Sequence, residues 1–378
     1  MSSVIVVTGC GIVSSIGIGS AAFSASFDSE TSGIRQRENG AGGWAPIAEF
    51  EAADYIEKKG LRALDRSARL LAVAAKLALD DATWIEPPGG AEPLGLVAGT
   101  MFGGLGSIAG FDWTILADGP RYVNPMHFPN TVISSPTGQA AIKNNLRGIN
   151  STICAGLASG LHALGYASRM LTLKRAHALL AGGVEEICGE SAQGFERLAM
   201  ISPSGNPRPF AADRDGSVQG EGSALFMLET VERAAARGAK PLARLTAFAS
   251  AHARAGEPAT AHHARAAATA MQSALENAGV ALSGIDLIVA GASGSRPGDE
   301  AEQQAIETVF KCPLAELPIL APKKLLGETL GAGGAFAAAA AILAVSKPDG
   351  PSHALVNTID CSGECASLVV SKLGNQPE

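Results

Sequence analysis

Several things are scarce in this chain of 378 residues, and each scarcity removes a class of answer. No run of about 18 apolar residues is free of charges and turn residues, so no membrane-spanning helix is expected. The start, Met1-Ser-Ser-Val-Ile-Val-Val-Thr-Gly9, has no basic segment ahead of its apolar residues and is too short for a secretory signal. It reads as a first strand, and the protein is expected to be cytoplasmic. Cysteines are few and scattered (Cys10, Cys154, Cys188, Cys312, Cys361, Cys365), and only Cys361 and Cys365 are close, with no second pair and no nearby histidine. That spacing offers no zinc site, and a reducing compartment disfavours disulfides, so neither a metal nor a cofactor is expected. Basic residues number 29 against 36 acidic ones, and the formal charge of −7 argues against bulk nucleic-acid binding. A local basic patch remains compatible with it.

What is present is small and apolar. The chain is 47% hydrophobic with 45 glycines and only 5% aromatics, enough for a large core in which helices approach closely through small side chains. Its length corresponds to roughly two to three domain equivalents. Apolar residues at helical spacing predict helices over 64–82, 134–146, 155–173, 260–278, 298–309 and 334–345. Short apolar runs predict strands over 4–8, 94–97, 178–181, 224–228, 242–249, 286–290, 354–357 and 366–372. This alternation predicts an α/β protein with parallel sheet covered on both faces, and two similar halves, 1–240 and 241–378. Sites in such folds gather at the carboxyl ends of strands.

One thiol stands out. Cys154, in Asn150-Ser-Thr-Ile-Cys154-Ala-Gly-Leu-Ala-Ser-Gly160, is placed by this reading at a helix N-terminus, where unpaired N–H groups and the dipole favour thiolate. Outside such a motif, a free cysteine reads as a small buried hydrophobe.

Several segments together then carry a resemblance. These are Val6-Val-Thr-Gly9 with Gly11-Ile-Val-Ser-Ser, the Cys154 segment, Ala181-Gly-Gly-Val-Glu185, Arg208-Pro-Phe-Ala-Ala-Asp-Arg-Asp215-Gly216 with Gly220-Glu221-Gly222, Pro297-Gly-Asp299, and the stretch from Lys323 to Gly334. In this order, over essentially the whole chain, the sequence resembles the β-ketoacyl synthase (condensing enzyme) family of the thiolase fold, nearest to its type II members. The resemblance implies a layered αβαβα architecture of two similar halves with mixed sheets. It also implies that Cys154 stands at the position of an acyl-accepting nucleophile. Two histidines would decarboxylate a malonyl carrier thioester, and an oxyanion hole would be made of backbone N–H groups. Asp213, Arg214, Asp215 and Glu221 would be hydrogen-bonding groups that hold the loops of the site. An acyl carrier protein is the implied partner, and a dimer the implied assembly.

The chain departs from the family where the histidines should be. The first opens an H-G-T-x-T segment, and counting back eight residues from Asp299 gives Gly291. The second lies five residues after a lysine, and from Lys323 that position is Glu328. The glutamate expected further on is Ala337. The gating loop G-F-G-G-x-N reads Asp360-Cys361-Ser-Gly363-Glu364-Cys365, with Cys361 in place of the aromatic gate and two added carboxylates. Gly363 and its neighbours are candidates for a backbone oxyanion donor. Lys323 reads as the ion-pair partner of Glu328 or Asp299. None of the seven histidines (His127, His162, His177, His252, His262, His263, His353) lies in a segment that would replace the missing two, and His262-His263 reads as a solvated helix face. The basic residues Arg169, Lys174, Arg175 and Lys58, Lys59, Arg62, Arg66, Arg69 read as solvated faces or a carrier-docking patch. Small residues at Gly103-Gly-Leu-Gly106 and after Cys154 suggest room for an acyl chain.

Loss of one transition-state donor typically costs about two to three orders of magnitude in rate, so loss of both argues against condensation by this chain alone. Three readings follow. The first is a chain-length-factor-like partner in a heterodimer with an intact ketosynthase, although chain-length factors often carry glutamine where Cys154 stands. The second is a Cys154-dependent, non-decarboxylative acyltransferase, expected as a homodimer, with Glu328 as base. The third is an ordinary elongating synthase, which the spacings from Asp299 and Lys323 oppose.

Overall fold

The protein is described by a computed structural model covering residues 4–37, 42–85, 93–253 and 259–374. Residues 1–3 of the expected opening strand lie outside the described residues. In chain order the elements begin with β1 (Ile5–Ser14), β2 (Gly17–Ile18), α1 (Ser20–Asp28), β3 (Arg35–Gln36), β4 (Gly43–Ala45), α2 (Arg66–Asp81), β5 (Gly95–Gly99), α3 (Leu105–Ala117) and α4 (Ser135–Lys143). There follow β6 (Asn150–Ile153), α5 (Ser159–Thr172), β7 (Ala178–Glu185), α6 (Gly189–Arg197), β8 (Gln219–Gly220), β9 (Gly222–Thr230), α7 (Val231–Ala236) and β10 (Ala243–His252). The chain closes with α8 (Ala259–Ala278), β11 (Leu287–Val289), α9 (Arg296–Phe310), β12 (Ile319–Leu320), α10 (Lys323–Leu326), α11 (Gly333–Ser346), β13 (His353–Ile359) and β14 (Glu364–Ser371).

The strands run in the order β12-β11-β13-β14-β10-β1-β9-β7-β5-β6, joined at the centre by an antiparallel contact between β1 and β10. Outward from that contact, both sides repeat one pattern. In the N-terminal half, β1–β9 and β9–β7 are antiparallel, and β7–β5 and β5–β6 are parallel. In the C-terminal half, β10–β14 and β14–β13 are antiparallel, and β13–β11 and β11–β12 are parallel. The sheet is therefore mixed, as the resemblance implies, and not parallel throughout as the alternation of elements alone suggests. The physical reason is visible at β13–β14, where residues 360–363 form a connection too short for a parallel crossover.

Alternation along the strands generates the layers. On β9, Ala224, Phe226 and Leu228 face one core while Leu225 and Met227 face another. On β14, Ala366, Leu368 and Val370 share the first core, and Cys365 and Val369 turn to a third. The shared core holds α5 and α11 between the halves; α11 is apolar nearly all round, as a helix packed on every side must be. The second core is covered by α2, whose start is capped by Asp65 accepting from the Ala68 N–H at 2.8 Å. The third is covered by α8 and α9. Helix, sheet, helix, sheet, helix is the architecture implied by the resemblance.

Candidate active site

Cys154 follows β6, but α5 begins only at Ser159. A tight turn intervenes, with Ala158 N–H donating to the Ala155 carbonyl and Gly156 in the left-handed region at φ +57°. Ser159 holds this turn, its Oγ accepting from the Ala155 N–H at 2.9 Å and donating to the Gly156 carbonyl at 2.6 Å. Cys154 is thus not in the first turn of the helix, where the dipole acts, and the expectation of a thiolate favoured by a helix terminus is corrected. The thiol is exposed, contacts the Met101 carbonyl at 3.4 Å, and is pushed up from its ordinary pKa by partial burial and by the carboxylates of Glu185 and Asp360.

Gly291 and Glu328 stand where the resemblance places the two histidines. At Gly291 a Cβ would lie 3.0 Å from the Asn357 carbonyl oxygen and 3.2 Å from Thr358 Cα, so a larger residue requires β13 to move. Glu328 is buried and bound at both oxygens, by Lys323 Nζ at 2.7 Å and by the Leu330 N–H at 3.0 Å. Burial raises its pKa and Lys323 opposes that rise. Lys323 thus pairs with Glu328. Asp299 accepts from the N–H groups of Phe210, Ser293 and Gly294, and so ties the 293–295 loop to the Arg208–Asp215 block.

The 360–364 loop is pinned rather than free. Asp360 Oδ1 accepts from the Leu157 N–H at 2.7 Å, and its other oxygen accepts from the Ser362 N–H at 2.7 Å. A Cβ on Gly156 would meet Asp360 Oδ1 at 2.1 Å, so the carboxylate fills the space above the nucleophile turn. Glu364 contacts His162 Nε2 on α5 at 2.7 Å. The Gly363 N–H is spent on the Asp360 carbonyl at 2.9 Å, and Gly363 does not line the cavity described next. Gly363 as oxyanion donor is corrected on that ground.

A cavity of about 200 Å³ lies between the halves and brings together Gly291, Asp299, Glu328 and Cys361 of the expected residues. Cys154 and Lys323 are not among its lining residues. Burial, followed by the Asp360 charge, pushes the Cys361 thiol up. Three further titratable groups stand in the wall, Asp360, Glu302 and His263, and of these Glu302 was not singled out from the sequence. Glu302 is buried, accepts from the Gly291 N–H at 2.9 Å, and is pushed up by burial to about 8. Its place one helical turn after Asp299 on α9 was the available signal. His263 overturns the solvated-face expectation, because α8 lies against β10 and β14 and turns it inward; burial lowers its pKa. Its neighbour His262 is 5% exposed.

Two further expectations change. Arg66 is a structural group, not a free surface cation: its guanidinium holds the buried Glu221 at 2.6 and 2.5 Å. The glycines at 103–106 mark close packing, not open space, since a Cβ on Gly103 would lie 2.8 Å from the Ile133 carbonyl oxygen and one on Gly104 2.3 Å from Asp65 Oδ2. Asp215 accepts from Ser202 Oγ at 2.6 Å and Arg208 pairs with Asp213, the loop-holding role implied for that block. Among the described residues no helix is long and apolar enough to cross a membrane, and no group of His, Cys, Asp and Glu could hold a metal.

Comparison with known proteins fits this geometry. The family model "Beta-ketoacyl synthase, N-terminal domain" matches residues 2–234, and "Beta-ketoacyl synthase, C-terminal domain" matches 242–354. The chain is 34% identical over 305 residues, covering 78% of its own length and 72% of the relative's, to a 3-oxoacyl-(acyl-carrier-protein) synthase 2 of Rhizobium meliloti (strain 1021). The solved ishigamide ketosynthase/chain length factor is similar at TM-score 0.90 and 27% identity, over 99% of this chain and 100% of that one. A β-ketoacyl synthase from Burkholderia phymatum STM815 is similar at TM-score 0.87 and 26% identity, over 98% and 100%.

Proposed function

The chain belongs to the β-ketoacyl synthase family, and we propose that within it the protein is a chain-length-factor-like partner of an intact ketosynthase in a type II polyketide, polyene or fatty-acid-like pathway. The observation that carries this reading is the pair Gly291 and Glu328. One position has no side chain, and the other holds a carboxylate engaged by Lys323. A malonyl thioester develops enolate charge as it loses carbon dioxide, and this chain sets no donor side chain against that charge at either position. The partner supplies the chemistry, and this chain shapes the acyl tunnel and receives no acyl group itself. In this reading residues 1–240 carry the silent nucleophile segment and 241–378 the altered histidine segments and loop.

A heterodimer has a surface to form on. Around α3, Trp113, Leu116, Met126 and Phe128 are 61–76% exposed, and β6, beside Cys154, ends the sheet with an edge unpaired among the described residues. An exposed apolar patch and an open strand edge each favour association. An acyl carrier protein in the cytoplasm is the further partner of this reading. The exposure of Cys154 favours a second reading, a non-decarboxylative acyltransferase, and the upward shift of its thiol weighs against it.

Intact-mass analysis decides between them. The chain is purified alone and with a co-expressed homologue that retains cysteine and both histidines, and each preparation is incubated with acyl carrier thioesters. The expected outcome is a heterodimer acylated on the partner only. Acylation of the lone chain that disappears in Cys154→Ala overturns the proposal in favour of the acyltransferase.

A further inference from the structure

The sheet has two ends, β6 at one and β12 at the other. β12 pairs with β11 in parallel, Ile288 opposite Ile319 and Val289 opposite Leu320. The Ile288 N–H donates to the Pro318 carbonyl at 2.9 Å and the Ala290 N–H to the Leu320 carbonyl at 2.8 Å. Along a paired strand, residues alternately turn both backbone groups toward the neighbour and both away. The N–H and carbonyl of Ile319 therefore point out of the sheet, and nothing among the described residues pairs them. A cleft of about 650 Å³ lies at this edge. Leu320 packs with Phe27 and Leu325 toward the shared core, Ile319 packs with Leu314 toward the third core, and all five line the cleft. The cleft thus takes in both faces of the edge, which is the space a further strand would fill. Its charged lining is Glu30, Glu307 and Lys324, two carboxylates against one ammonium. Lys324 lies 3.4 Å from Glu30. Glu307, on α9, receives Gln303 Nε2 and the Leu314 N–H on one oxygen, Oε1, both at 3.1 Å. Its Oε2 has no donor among the described residues and does not belong to the buried unpaired atoms, so solvent reaches it.

We propose that the β12 edge binds an extended peptide segment in which apolar and basic residues alternate. One residue of the peptide exchanges both backbone hydrogen bonds with Ile319. Neighbouring side chains of a strand point to opposite faces. The apolar ones pack on Phe27, Leu320 and Leu325, and the basic ones reach Glu307 Oε2 on the α9 side. Main-chain bonds supply affinity in such strand addition, and the alternate side chains supply selection. A basic segment complements the net negative lining and the formal charge of −7 on the whole chain. A second copy of this chain is a poorer occupant, because it sets the same two carboxylates against these. β12 and β6 are the opposite ends of the sheet, so the proposal stands apart from the heterodimer of the chain-length-factor reading.

The probes are end-blocked peptides labelled with fluorescein: Leu-Lys-Leu-Lys-Leu, its counterpart Leu-Glu-Leu-Glu-Leu, and the lysine peptide N-methylated at every residue. Each is titrated with the purified full chain at low salt and followed by anisotropy, with hydrogen exchange read by mass. The lysine peptide is expected to bind at least about tenfold more tightly than either control and to protect the segment 314–321 from exchange. Ile319→Pro removes the outward N–H and leaves the ladder to β11 intact, and it should weaken the lysine peptide about tenfold. Glu307→Gln keeps an oxygen for the Leu314 N–H and should weaken it roughly three- to tenfold. Both variants are checked for an unchanged circular dichroism spectrum and melting point. Should Ile319→Pro not fold, Glu307→Gln and the methylated peptide carry the test. Absence of binding by the lysine peptide, equal binding of the three probes, or undiminished binding in a folded variant overturns the proposal. So does self-association of the chain that Ile319→Pro abolishes, which assigns the edge to a second copy.

Discussion

The N-terminal half carries the Cys154 segment, while the C-terminal half carries Gly291, Glu328 and Cys361 at the positions where the resemblance places the groups that would act with it. The two halves repeat one strand pattern and pack against one shared core, so this is not a decayed fold. Its replacements are integrated. Glu328 has a lysine, Gly291 is held by Glu302, and Asp360 reaches across to the nucleophile turn. The contrast teaches that a nucleophile motif is only half of a nucleophile. The thiol in the retained segment is shifted up in part by a carboxylate contributed by the altered half.

Three experiments would break or sharpen this contrast. The largest effect is expected in the C-terminal half at Lys323→Met. Lys323 and Glu328 side chains are 6% and 7% exposed, and leaving Glu328 alone in that site should cost about 3–5 kcal/mol in urea unfolding. Lys323→Met with Glu328→Leu should recover most of that loss. If the single variant is as stable as the parent, the pair is not what holds the site.

An intermediate effect separates the halves by pH. Glu302 in the C-terminal half is raised from 4.5 to about 8, and Glu185 in the N-terminal half from 4.5 to about 7. In each case the folded state holds a proton that the unfolded state gives up near 4.5. The stabilising contribution is therefore complete below that pH and is lost as pH rises through the folded value. Melting temperature should fall from pH 5 to pH 9. Glu302→Gln should remove the portion of that fall that extends to about 8, and Glu185→Gln only the portion ending near 7. Parallel curves for parent and variants would refute the assignment.

The smallest effect is expected at Asp360→Asn, which removes a charge but keeps an oxygen for the Leu157 N–H. Alkylation of Cys154 by iodoacetamide at pH 8, read by peptide mass so that Cys361 is scored separately, should accelerate a few-fold as the thiol pKa falls. An unchanged rate at Cys154 would mean that the altered loop does not influence the retained nucleophile.

Much of this molecule was legible in its sequence. Helical periodicity located α2, α8, α9 and α11 to within two residues at either end, because an amphipathic or uniformly apolar stretch declares itself locally. The spacings from Asp299 and Lys323 pointed to Gly291 and Glu328, and the structure brings both to one cavity. Strand direction did not follow from the order of elements, because pairing is settled by the length of each connection and by which strand it meets.

The chemistry of the site depended still more on tertiary structure. Asp360 acts on a turn 203 residues earlier in the chain, and nothing near it in sequence signals that contact. His263 is turned inward because its helix packs on β10 and β14, not because of its neighbours at 262 and 264. Composition, motif order and spacing therefore determined which family of folds the chain adopts and which residues to look for at its site. Burial and proximity across the two halves decided what the remaining side chains can do, because a group's charge and reactivity are set by the dielectric and the partners around it, and those exist only once the halves have packed.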